Sequence, residues 1–243
     1  MATADPDILN RLRKEILPLQ GFKPSAMSGN GIPGFEAIEA AFPGNRFPTG
    51  AVHEFMCTNN PAFAATSGFV CGLLSSLMAQ DRAGVWISSS QQLFPPAVAQ
   101  FGIDPERLIM IETPREKELL WIMEEALKCE GLGAVVCEVS TLSFIASRRL
   151  QLAVEESGVT GMLIRSAEKN NITSALARWR ISALPGIAPH NLPGLGYPRW
   201  NVILEKVRNG KPSAWQIEWN GKQFAEIVNT VPQEVSRFIK KTG

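Results

Sequence analysis

Apolar positions along the chain fall into two rhythms. Residues 51–57 alternate as a half-buried strand does, and across 62–80 Phe63, Phe69, Val70, Leu73, Leu74 and Leu77 recur at helical spacing. The same succession repeats downstream. Residues 84–88 (GVWIS) predict a strand, 95–101 a helix and 108–111 a third strand. An amphipathic helix follows over 116–129, carrying Leu119, Leu120, Ile122, Met123 and Leu127. Residues 133–139 (GAVVCEV) are nearly all apolar, as expected of a strand covered by helices on both faces. A helix over 144–156 and a strand over 160–165 (TGMLIR) complete the run. Regular β-α alternation predicts an α/β domain whose mostly parallel, twisted sheet is connected by right-handed crossovers and flanked by helices.

The two ends differ from this middle. From residue 177 strands follow one another without helices, at 177–183 (ARWRISA), 200–208 (WNVILEKVR) and 214–219 (AWQIEW), which predicts antiparallel C-terminal strands. Asn209-Gly210, followed by Lys211 and Pro212, is a hairpin signal between the last two. The Gly- and Pro-rich stretch 185–198 reads as an exposed loop, and 232–241 as a short closing helix. At the other end, Asp5-Pro6 supplies an N-cap acceptor and a proline at the first helical position. Ile8, Leu9, Leu12, Ile16 and Leu17 then form one apolar stripe, and Pro18 ends it. Residues 21–50 are rich in Gly and Pro and read as a linker enclosing one short helix at 35–41. The expected organisation is an N-terminal helix over 1–20, a linker over 21–50, a core over 51–225 and a tail over 226–243. A helix so tethered folds back on its own core or docks on a partner through Ile8, Leu12 and Ile16.

Composition narrows the classes. The 243 residues suit one large domain with extensions. No apolar run approaches the ~20 residues that span a bilayer, and the start MATADPDILN lacks the basic-then-apolar order of a signal peptide, so a cytoplasmic protein without a membrane partner is expected. Cys57, Cys71, Cys129 and Cys137 include no C-x-x-C pair and read as reduced core residues. With only His53 and His190, zinc spacing is lacking, and His53 reads as a strand residue with a local hydrogen-bond partner. The formal net charge of +1 conceals an asymmetry: 12 basic against 18 acidic residues before position 165, and 12 against 5 from there on. The basic last third also holds Trp179, Trp200, Trp215 and Trp219. Arg178, Arg180, Arg199, Lys206, Arg208 and Lys211, beside Trp179 and Trp200, suit single-stranded DNA. The other reading is a solvated edge whose tryptophans pack inward.

The strand, loop and helix over residues 50–80 are the frame in which nucleotide-binding domains cradle phosphate. That cradle needs glycines to turn backbone N–H groups onto the anion, a lysine for the outer phosphates and a hydroxyl for magnesium. The loop here is Cys57, Thr58, Asn59, Asn60, Pro61, Ala62, Phe63. No glycine lies between Gly50 and Gly68, and no lysine between Lys23 and Lys117. No nucleotide, metal or other cofactor is expected. The run Ser88-Ser89-Ser90 lacks a base to activate it, and no G-x-S-x-G elbow exists. Glu116, Glu118, Glu124, Glu125 and Glu130 read as a solvated helix face. The residues predict a protein that is not an enzyme.

From about 31 to 219 this order of elements resembles the core of the RecA-type recombinases, including Gly34-Phe35-Glu36, Phe47-Pro48-Thr49-Gly50, the strand AVHEF and the closing NVILEKVRNGKPSAWQIEW. The chain resembles more closely still the ImuA family, which is similar to RecA and to the cell-division inhibitor SulA. The segments FPTGAVHEF, ELLWIMEEALKCEGLGAVVCEV and SRRLQLAVEESGVTGMLIR carry that resemblance. It implies a RecA-like core with a degenerate phosphate loop and a role in the SOS response to DNA damage. The partners it implies are an ImuB-like inactive Y-family polymerase homologue, an error-prone C-family polymerase and RecA, acting together in translesion synthesis and mutagenesis, with nucleoid association on damage. The recombinase chemistry does not carry over: Phe63 stands at the lysine position, Ser89 and Ser90 at that of the catalytic glutamate. Glu138, at that of the metal-side acid, reads as a capped or surface-paired carboxylate. The alternatives are a SulA-like inhibitor of cell division and a residual ATPase.

Overall fold

The structure is a computed structural model that describes residues 31–78, 81–90, 93–166, 172–187 and 194–227. The expected helix bearing Ile8, Leu12 and Ile16 and the expected closing helix lie outside the described residues, as does nearly all of the expected tail. In chain order the elements are α1 (Glu36–Glu39), β1 (Val52–Cys57), α2 (Asn60–Leu77), β2 (Ala83–Ser88), α3 (Pro95–Val98) and β3 (Leu108–Glu112). They continue with α4 (Glu116–Leu127), β4 (Leu132–Val139), α5 (Phe144–Ser157), β5 (Thr160–Ser166), β6 (Ala177–Leu184), β7 (Arg199–Val207), β8 (Ser213–Trp219) and β9 (Phe224–Glu226).

Among the described residues, nine strands form one sheet in the order β3-β2-β4-β5-β1-β6-β7-β8-β9. The expected mixed α/β sheet is therefore present. β1 lies between β5 and β6 and is parallel to both. β2 pairs in parallel with β3 and β4, and β4 with β5. β6, separated from β5 by no helix among the described residues, still runs parallel to its neighbour β1. Antiparallel order begins with β7 and continues through β8 and β9.

Alternation within the strands builds two cores. In β4, Ala134 and Val136 face the layer under α2, whereas Val135 and Cys137 face the layer under α4 and α5. Each helix is started by a local device where one is available. Asn59 caps α2, Ser143 caps α5, and Gly158 ends α5 in the left-handed region at φ 77°. β1 departs from the half-buried strand predicted for it: all six of its residues are buried, because helices cover both of its faces.

The stretch read as a linker also differs in its described part. Ile32, Phe35, Ile38, Phe42 and Phe47 belong to the larger core. The buried carboxylate of Glu39 clasps the stretch by accepting from Ile32 N at 3.3 Å and Phe47 N at 3.1 Å. Of the four cysteines, Cys57, Cys71 and Cys137 are buried and Cys129 is exposed, and none is in a disulfide. No helix among the described residues is long and apolar enough to cross a membrane.

Candidate functional site

The carboxyl ends of β1, β2, β4 and β5 meet at one edge of the sheet, where a parallel α/β domain places its ligands. A cavity of about 560 Å³ opens there, lined by Asn60, Ser89, Glu116, Glu138, Arg165 and Ser166 among others. The loop after β1 forms one wall. An anion site at this place would need free backbone N–H groups at the start of α2. Instead, Asn59 Oδ1 accepts from Ala62 N at 2.9 Å, Pro61 has no N–H to offer, and Phe63 N donates to the Asn59 carbonyl at 3.0 Å. Thr58, Asn59, Asn60 and Pro61 are exposed, while Cys57 is buried. Phe63 packs against the larger core, where its ring fills space and supplies no charge.

A second set of amides at the same edge is closed in a related way. Glu116, at the start of α4, accepts from Ser140 N at 3.0 Å, Thr141 N at 2.7 Å and Thr141 Oγ1 at 3.1 Å, and also from the Ser140 hydroxyl. Burial opposes its ionisation, but these bonds prevail and hold its carboxyl below the usual range. Glu116 is therefore no mere member of a solvated acidic face; it occupies with its own carboxylate the place an external anion would take.

Glu138, at the end of β4, is 9% exposed and accepts from Trp86 Nε1 at 2.7 Å. It is capped, as expected, though from within the core rather than at the surface. Burial pushes its carboxyl from 4.5 up to about 7, with the indole bond acting in the other direction. Because the folded state binds this proton more tightly than the unfolded chain, its contribution to stability is full below pH 4.5 and is lost as pH rises through 7. Glu138→Gln, which keeps the indole acceptor, should therefore match the parent protein at pH 4 and exceed it at pH 8 by on the order of 3 kcal/mol in denaturant unfolding. A difference that stays constant with pH would show that the carboxyl does not titrate in this window.

Beneath the loop lies a buried cluster. Glu54, in the middle of β1, faces Arg165 of β5, with Nε to Oε1 at 3.5 Å, and Arg178 of β6, with Nε to Oε2 at 3.0 Å. Burial pulls the Arg165 guanidinium below its ordinary range, against the favourable pull of Glu54. On the opposite face of β1, His53 Nε2 donates to the Pro48 carbonyl at 2.8 Å and Nδ1 accepts from Trp179 Nε1 at 3.3 Å. Burial pulls His53 down to about 4, so the ring is neutral. It is a structural strand residue, as its sequence context predicted.

The basic residues of the last third are distributed differently from a nucleic-acid platform. Trp179 and Trp200 are 0% and 3% exposed and cannot stack on bases. The sequence Arg178-Trp179-Arg180 sits in a strand, so the arginines and the tryptophan point to opposite faces. Arg178 pairs with Glu54, Arg180 with Glu205 at 2.6 Å and Arg199 with Glu218 at 3.3 Å. Arg208 donates to the Ser174 carbonyl at 3.1 Å. Lys206 and Lys211 are exposed near the turn between β7 and β8.

No family model matches the chain. It is 35% identical over 200 residues to Protein ImuA of Caulobacter vibrioides, strain NA1000 / CB15N, a match that covers 76% of this chain and 81% of the relative. The same figures hold for Protein ImuA of strain ATCC 19089 / CIP 103742 / CB 15. Among solved structures, SulA from Pseudomonas aeruginosa aligns with a TM-score of 0.41 and 22% identity, over 48% of this chain and 98% of that one.

Proposed function

Since the chain belongs to the ImuA family, we propose that it is a non-catalytic adaptor in error-prone translesion synthesis induced by DNA damage. In this reading a RecA-like core keeps its sheet and has lost its nucleotide switch. The position of β1 between β5 and β6, followed by a loop and a long helix, supports the RecA-like description. The observation that carries the non-catalytic part is the self-closed loop: the Asn59 carboxamide, Pro61 and Phe63 occupy what phosphate and its lysine would require. A core of this kind binds partners as a fixed body and does not cycle with ATP.

The partners are an ImuB-like polymerase homologue, an error-prone C-family polymerase and RecA, met in the cytoplasm at the nucleoid after damage. The N-terminal helix, through Ile8, Leu12 and Ile16, is one handle. The companion reading, direct contact with single-stranded DNA, rests on Lys206, Arg208 and Lys211 around the β7–β8 turn. It requires affinity that falls steeply with salt.

The test is co-purification of the full chain with the ImuB-like and C-family proteins from damage-treated cells. Capture is expected, and deletion of residues 1–20 or Leu12→Asp should weaken it by about tenfold or more, about 1.4 kcal/mol. ATP with magnesium should leave the melting temperature unchanged. A nucleotide-induced rise would overturn the non-catalytic reading. Absence of any polymerase partner at every salt concentration would overturn the adaptor role, and filamentous growth on overexpression would then point to the division machinery.

A further inference from the structure

A second cavity, of about 810 Å³, runs beside the candidate site. Its floor is one face of α2, where Ala64, Ser67, Gly68 and Cys71 follow one another at i, i+3, i+4 and i+7. Phe94 and Phe101, which flank α3, line one side, and Leu184 of β6 and Trp200 of β7 line the other. Phe94 stands in water, 66% exposed. The result is an open apolar groove with a floor of small side chains, and along α2 from Asn60 to Cys71 it is about 16 Å long. An apolar surface of this kind marks a contact.

One polar group is left over in it. Asn60, Phe63 and Glu138 line this groove and the cavity of the candidate site alike, so whatever fills the groove forms a wall of that cavity. Trp86 Nε1 occupies Glu138 Oε1, while Oε2 takes part in no hydrogen bond or ion pair among the described residues. The other charged residue of the lining, Arg199, is paired with Glu218 at 3.3 Å. The groove therefore presents apolar walls and, at the end it shares with the site, one carboxyl oxygen able to accept.

We propose that the occupant is the chain's own C-terminal segment, residues 228–243, laid along the groove with its apolar stripe on α2 and Lys241 at Glu138. Where the described chain ends supports this. Ile227 N donates to the Gln216 carbonyl at 2.8 Å, and Gln216 lies opposite Asn201, the neighbour of Trp200. Two strand spacings, about 10 Å, separate that point from β7 and the groove wall. The segment has the matching pattern. Val228, Val231, Val235, Phe238 and Ile239 fall at i, i+3, i+7, i+10 and i+11, one helical stripe, and Thr230 and Gln233 have the spacing of a capping box. The closing helix expected over 232–241 is about 15 Å long, which suits the groove. Its charge is also complementary: Arg237, Lys240 and Lys241 stand against Glu234 alone, and Lys241, one turn after Phe238, brings a donor to the end of the stripe. The inference does not depend on the adaptor reading.

The experiment replaces exposed Phe94 by the photo-reactive p-benzoylphenylalanine in the full chain and reads the cross-linked peptides by mass spectrometry. An intramolecular cross-link to residues 228–243 is expected. Val235→Asp/Phe238→Asp should lower its yield by about tenfold or more, because a carboxylate is costly against apolar walls. The same variant should raise the fluorescence of a hydrophobic dye, as the groove is uncovered. Lys241→Glu should lower the yield by a smaller factor, and Arg237→Gln, off the stripe, should leave it unchanged. Matching circular dichroism would show that the variants fold. A cross-link to residues 1–30 overturns the proposal in favour of the N-terminal helix, and one to a second copy of the chain in favour of self-association. No cross-link within the protein, or a parent yield from the double variant, overturns it outright.

Discussion

Glu54→Ala should destabilise the protein by about 3–5 kcal/mol, the range found when one partner of a buried ion pair is removed. Glu54 is 0% exposed and its two oxygens divide between Arg165 and Arg178. Removing the carboxylate leaves two guanidinium groups at the centre of the sheet facing each other across β1, with their mutual repulsion no longer offset. For a chain of this size each kcal/mol lowers the melting temperature by about 2–4 °C, so a fall of roughly 6–20 °C is expected. The triple variant Glu54→Leu, Arg165→Met, Arg178→Leu should recover most of that loss, because replacing all charged members together removes the desolvation cost as well as the attraction. If Glu54→Ala melts within a degree or two of the parent, the cluster does not hold β1 between β5 and β6.

The cluster also shows where the sequence stops being legible. Helix and strand order across residues 51–166 follows from apolar period alone, since the period is local and helices such as α4 carry it strongly. A triad drawn from β1, β5 and β6 joins residues separated by 111 and 124 positions, and no local pattern signals it. Alternation in AVHEF predicts a half-buried strand, which would leave Glu54 solvated; burial on both faces comes from helices that pack later in the chain. The lack of glycine and lysine in the loop after β1 was readable because it is a matter of residue types, and Asn59-Asn60-Pro61 is itself a helix-start signal. The clasp of Glu116 on Ser140 and Thr141 was not, since it spans 24 and 25 residues. The inward tryptophans could have been read: in Arg178-Trp179-Arg180, strand geometry sends the ring and the charges to opposite sides. Gly and Pro content hid the core role of residues 31–50, because composition reports turns and says little about Phe35, Ile38, Phe42 and Phe47 between them.

That segment carries the second large effect. Phe224→Ala should cost about 3–5 kcal/mol, as truncation of a buried aromatic does, although β9 is a strand of only three residues at the end of the sheet. Phe224 is 0% exposed, and its ring centroid lies 4.9 Å from Phe35, 5.1 Å from Trp219, 5.3 Å from Phe69 and 6.2 Å from Trp200. These rings come from the entry segment, from α2 and from β7 and β8, so one side chain joins the two ends of the described chain to the central core. The backbone makes the same junction. Gly34 holds φ at +75°, and a Cβ there would lie 1.6 Å from the Phe224 carbonyl oxygen. Gly34→Ala therefore meets both a disfavoured conformation and a main-chain atom that has no flexible end to yield. Its cost should approach that of Phe224→Ala, whereas Gly131→Ala, with nothing within 4 Å, should be nearly neutral. Since both substitutions break one junction, the double variant should be less destabilised than the sum of the singles by about 0.5–3 kcal/mol. Additive losses in denaturant unfolding would show that the entry segment and β9 are held independently, and that residues 31–50 form a detachable arm.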